Sequence, residues 1–227
     1  MFVCVGAWLV CVRSLCCFVM LCFASCGFVT MLLLETLVCW CLVLFSSSQD
    51  ANARALHNDL QAWYKATRAP FGSSRVQGML TVERIRADKA WPQLKAKAAA
   101  TRHLVAYAIY LWSRFSLGTE RDNMIMALLV LLARFYKILE TEAMFLRQAA
   151  REELPAVGLQ IALLYSALAV MSFRAGAKFW KMLPKLHIFL HMAEWQALEW
   201  FNPRYTWTYS DEDLVGLFIE VSQSCHT

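Results

Sequence analysis

The sequence predicts an all-α protein: an apolar, cysteine-rich leading segment followed by a bundle-like helical domain. Three observations carry that prediction. Apolar residues recur at three-to-four spacing through most of the chain after residue 50. No alternating strand pattern longer than four or five residues occurs before position 200. Residues 1–49 hold only two formal charges, Arg13 and Glu35, in a chain that is 59% apolar and 17% charged.

Charge and cysteine divide the 227 residues into the same regions. Residues 50–100 carry nine Lys/Arg against four Asp/Glu, whereas residues 101–227 carry twelve of each. The net charge of +5 therefore belongs to the middle segment, which reads as a basic linker with short helices. Eight of the nine cysteines lie between Cys4 and Cys41, among Phe, Val and Leu. A disulfide scaffold spreads cysteines through a polar, loop-rich domain, so these read as small buried hydrophobes.

From Ser14 to Leu34 there are 21 consecutive uncharged residues. A bilayer core of about 30 Å needs about 20 of them in a helix. The expectation is a transmembrane helix over residues 14–34, with TLVCWCLVLF either extending a tilted helix to Phe45 or lying in the interface, and a lipid bilayer as the partner of residues 14–45. Glu35 argues against two full spans. A secretory signal would want a shorter core and a positive start, whereas here the apolar run begins at Phe2. A Cys/Trp/Phe/Val-rich opening also resembles translated non-coding sequence, which would leave the remainder soluble or nuclear.

Ser46-Ser47-Ser48-Gln49-Asp50 marks the boundary. A short helix follows over Ala51–Ala66, with Leu56, Leu60, Trp63 and Tyr64 on one face. Pro70 and Gly72 break it, and a second short helix spans Thr81–Ala90. Pro92 then opens a long helix to Phe115, which Gly118 ends. Thr119 with Asp122 makes a capping box for a helix over Glu120–Glu153, apolar all round between Met124 and Ala133. Pro155 opens another, in which Ala156–Phe173 is 18 residues without a charge. Gly158, Gln160, Tyr165, Ser166 and Ser172 mark it as the central helix of a domain rather than a second span.

Three groups of residues invite a chemical reading. His187, His191 and Glu194 stand at i, i+4 and i+7, on one helical face, as zinc ligands can. Ile188 occupies the place of the general base in an HExxH site. The commoner explanation is two half-buried histidines hydrogen-bonded to their surroundings. Asp211-Glu212-Asp213 fails as a calcium loop, because Val215 and Ser222 occupy ligand positions; Ser210 and Asp213 instead suit the capping box of a helix to about Ser224. Arg84, Arg86, Lys89, Lys95 and Lys97, with Trp63, Tyr64 and Trp91 nearby, could touch nucleic acid or anionic lipid, although a solvated face is commoner. Cys225-His226 lacks a third member for nucleophilic chemistry. No complete catalytic constellation is found, and no cofactor is expected.

The block Pro184-Lys185-Leu186-His187…His191, Asn202-Pro203-Arg204, Asp211-Glu212-Asp213-Leu-Val-Gly216 and His226 resembles the C-terminal block of a repetitive protein family of dinoflagellate genomes. It is more distantly similar to the end of cut-and-paste transposases with an RNase H-like fold. The resemblance covers about 45 residues and implies that Glu212 matches the last acid of a catalytic Asp-Asp-Glu set. Such enzymes hold two divalent ions with three carboxylates. The upstream strand-borne aspartates of that pattern are not found here, so the resemblance implies a truncated, inactive copy. Two function classes follow: a non-enzymatic, membrane-anchored helical protein with a structural or interaction role, or a transposase-like remnant.

Overall fold

The structure, a computed structural model, describes residues 48–67, 75–85, 98–177, 179–182 and 184–206. The apolar segment over 14–45, Pro92 and the expected helix start at Asp211-Glu212-Asp213 lie outside these residues. Among the described residues six α-helices and one short 3-10 turn form, with no strand beyond a single bridge. They are α1 (Gln49–Ala66), α2 (Val82–Ile85), α3 (Ala98–Phe115), α4 (Glu120–Thr141), α5 (Gln148–Arg174), α6 (Pro184–Leu198) and the turn Pro203–Thr206.

Local signals start the first and fourth helices. The Ser48 hydroxyl accepts from Ala51 N at the head of α1. At α4 the Thr119 hydroxyl accepts from Asp122 N (3.2 Å) while Asp122 Oδ2 accepts from Thr119 N (3.3 Å), the reciprocal capping box the sequence predicts. Gly118, at φ +72°, sits in the α3–α4 turn, where a side chain would be strained.

Packing follows the apolar spacing. Leu56, Leu60 and Tyr64 of α1 are buried in the same core as Leu104, Tyr107 and Leu111 of α3. The Tyr107 hydroxyl donates to Asp59 Oδ2 (3.0 Å), and Arg114 pairs with Asp59 (3.1 Å). Antiparallel α4 and α5 pack along their length, and α6 lies against α5. Leu128, Leu132, Phe135 and Leu139 of α4 meet Leu154, Ile161, Tyr165 and Leu168 of α5 in the interior. The Phe135 and Phe189 rings meet at a tilt, centroids 5.2 Å apart, bringing α6 onto α4 as well.

Two boundaries differ from the sequence reading. Instead of one helix over Glu120–Glu153 there is a corner at residues 142–147, and α5 begins at Gln148. Pro155 does not open a helix but lies inside α5, where it has no N–H for the Arg151 carbonyl. Burial of Leu154, Val157 and Ile161 on either side outweighs that lost bond. Nothing between Glu142 and Arg147 is Gly or Pro; the corner is held by the Glu142–Arg147 pair and by residues 200–202, far along the chain.

Candidate functional site

The Asn202-Pro203-Arg204 motif closes the C-terminal end of α4. Asn202 is fully buried, and its Nδ2 donates to the carbonyls of Leu139 (2.9 Å), Glu142 (3.1 Å) and Ala143 (3.1 Å). Leu139 lies in the last turn of α4, whose carbonyls lack an intrahelical donor, and Glu142 and Ala143 follow directly. Asn202 Oδ1 accepts from Arg204 N, and Arg204 Nη1 donates to the Glu140 carbonyl, both at 3.0 Å. Around it Phe145 and Phe201 form an antiparallel bridge, with Leu146 N donating to the Trp200 carbonyl (2.7 Å) and Asn202 N to that of Met144 (2.9 Å).

The corner is pinned from its own side by Glu142 and Arg147. Glu142 is buried, takes the Arg147 guanidinium on both oxygens and accepts from Arg147 N at 3.0 Å. Those bonds hold its carboxyl below the usual carboxylate range. One turn into α5, Arg151 lies 3.9 Å over the Trp200 ring and donates to the Ala197 carbonyl. Trp200 adopts φ +65°, a conformation that bulky residues rarely take.

His187 and His191 meet through their Nε2 atoms at 2.8 Å, with ring planes 80° apart. Such a contact needs one ring nitrogen bearing hydrogen and one bare lone pair, so at least one ring is neutral in it. Glu194 is exposed at the next turn. Among the described residues no three His, Cys, Asp or Glu side chains gather as a metal site would require. Of the basic segment, Trp63 and Tyr64 pack inward and Arg84 donates to the Gln77 and Met79 carbonyls. Arg86, Lys89, Trp91, Lys95 and Lys97 lie outside the described residues.

His103 on α3 is a titratable group the sequence did not single out. Its Nε2 lies 3.2 Å from the Arg102 guanidinium, which can only donate. Burial, then the Arg102 charge, push its pKa down to about 4.

The largest departure from a plain core helix is on α5. Its inner side is buried, yet Leu159 is 52% exposed, Leu163 61%, Val170 48% and Phe173 85%. Helix α5 is also the one described element long and apolar enough to cross a membrane, with 39% of its most apolar window buried. At its C-terminal end Ser166, Val170, Phe173, Phe179, Trp180 and Met182 border an apolar groove of about 390 Å³. Trp180, at φ +61°, is one of the lining residues and meets Tyr165 edge-on, centroids 5.6 Å apart. Tyr165 in turn donates to the Lys181 carbonyl at 2.6 Å. The sequence reading made Ala156–Phe173 the central helix of the domain without marking an outer face, because an uncharged helix gives no polar side to mark it.

No protein-family model, curated protein or solved structure matches this chain.

Proposed function

We propose that this chain is a membrane-anchored, non-enzymatic helical protein whose folded part presents an interaction surface. The observation that carries the reading is the exposed apolar stripe on α5, Leu159, Leu163, Val170 and Phe173, on a helix without a charge from Ala156 to Phe173. Exposed apolar stretches of this extent mark contact with a protein or a membrane. The uncharged run over 14–34 supports the anchor. The polar motifs of the described region support a structural rather than a catalytic role. Asn202 closes a helix end, Glu142 and Arg147 pin a corner, and Thr119 with Asp122 start a helix.

Mass spectrometry of carbonate-washed membranes against the soluble fraction tests this, following peptides around Ala55–Lys65 and Leu186–Arg204. Recovery in the washed pellet is expected. Recovery only in the soluble fraction, with nothing upstream of Ser46, overturns the anchor and favours the transposase-like remnant.

A further inference from the structure

We infer that α5 pairs antiparallel with α5 of a second copy of this chain, making the protein a two-fold symmetric dimer. The inference names the partner of the interaction surface proposed above and rests on that reading.

The spacing of the exposed face is that of a helix–helix seam. Ala156, Leu159, Leu163, Ser166, Val170 and Phe173 follow one another at intervals of three, four, three, four and three. These are the a and d positions of successive heptads. The buried residues Ile161, Tyr165 and Leu168 occupy the opposite side and already serve the core. Ser166 brings no unsatisfied polar group to the seam, because its hydroxyl donates to the Ala162 carbonyl at 2.8 Å. The seam runs for about 26 Å at 1.5 Å per residue.

Charge selects both the occupant and its direction. The stripe is bounded by Glu152 at its N-terminal end and Arg174 at its C-terminal end, both exposed, with no charge between them on the seam. A second copy running the same way would set Glu152 beside Glu152 and Arg174 beside Arg174. Running the opposite way about Leu163, it sets each Glu152 beside the other copy's Arg174. The same register puts Ala156 opposite Val170, small against larger, and Leu163 against its own symmetry mate. Leu159 of each copy then comes opposite Ala167, beside Ser166 and Val170 at the edge of the apolar groove, whose 390 Å³ is ample for one leucine side chain. The contact is isologous and closes on itself, as two-fold dimers do. A lipid chain would gain nothing from the opposed terminal charges, which is why a second copy is the better occupant.

A photo-cross-linking residue at Leu163 of the full chain, in nonionic detergent and in lipid vesicles, tests the pairing, with mixed ¹⁴N- and ¹⁵N-labelled copies. The expected product is a mixed-isotope dimer linked within Gln160–Ser166 of the second copy. Adducts to lipid alone, or to the same chain, overturn it. Charge reversal then reads the direction: Glu152→Arg and Arg174→Glu each weaken the dimer by roughly 2- to 10-fold, two symmetry-related exposed pairs being lost, and the double variant restores it. A double variant no better than the singles overturns the antiparallel register. Cross-linking of chain recovered only in the soluble fraction still tests the dimer, so its failure is distinguishable from failure of the membrane anchor.

Discussion

A β-carbon added at Gly158 would lie 2.7 Å from the Ala193 β-carbon. The α5–α6 contact therefore depends on glycine at that point for closeness, not for an unusual backbone angle.

Gly158→Ala is expected to destabilise the fold by about 1–2 kcal/mol, overpacking exceeding the helix-propensity gain of about 1 kcal/mol. Urea denaturation of the full chain in nonionic detergent measures it. Adding Ala193→Gly should recover much of the loss by making room from the other side. A single variant as stable as the parent would mean that the helices are not in contact there.

Asn202→Ala should cost about 1–3 kcal/mol, since buried carbonyls at the end of α4 lose their shared donor. Asn202→Asp should be at least as damaging, because it keeps the size but turns an acceptor toward three acceptors. If aspartate were tolerated better than alanine, the capping assignment would be wrong.

His103 makes stability pH-dependent in a defined direction. Its folded pKa is lowered from 6.5 to about 4, so the unfolded chain binds the extra proton first as pH falls. The stabilising contribution is present above pH 6.5 and is lost between there and about 4. Allowing for partial solvent screening, the loss from pH 7 to 5 should be about 1 kcal/mol. His103→Gln should flatten that slope in parallel urea titrations; an unchanged slope would remove the assignment.

Glu142 acts further down the pH scale. Its carboxyl is held below the ordinary range by the Arg147 bonds, so its contribution is present above the unfolded value of 4.5 and disappears as pH falls through the lower folded value. Arg147→Ala should lower stability at neutral pH and make the acid limb shallower, whereas Arg147→Lys should retain part of both. Proteolysis between Ala143 and Leu146 at neutral pH offers an independent readout, and Arg147→Ala should accelerate it.

The legible parts of this fold are the ones built from neighbours in sequence. Thr119 and Asp122 lie three residues apart, so their capping box could be read directly, as could the end of α1 at Ala66 and of α3 at Phe115. The corner after Thr141 could not, because, besides the Glu142–Arg147 pair, its hydrogen bonds go to Trp200 and Asn202, more than fifty residues away. Pro155 misled for a related reason: local propensity favours a helix start there, while tertiary burial carries the helix through it. His187 and His191 were legible as a pair because i, i+4 spacing sets them one above the other. The exposed face of α5 was hidden by its own composition, since periodicity shows a face only where polar and apolar residues differ.

The Phe145–Phe201 bridge and the Asn202 cap also bear on the order in which the chain can fold. As synthesis proceeds from the N-terminus, α4 and α5 are complete before the residues that close their shared corner have been made. Until Asn202 arrives, the α4 end keeps open carbonyls and the corner rests on Glu142 and Arg147 alone. A chain stopped short of Asn202 would therefore lack the donor to the Leu139, Glu142 and Ala143 carbonyls and the long-range bonds of the corner.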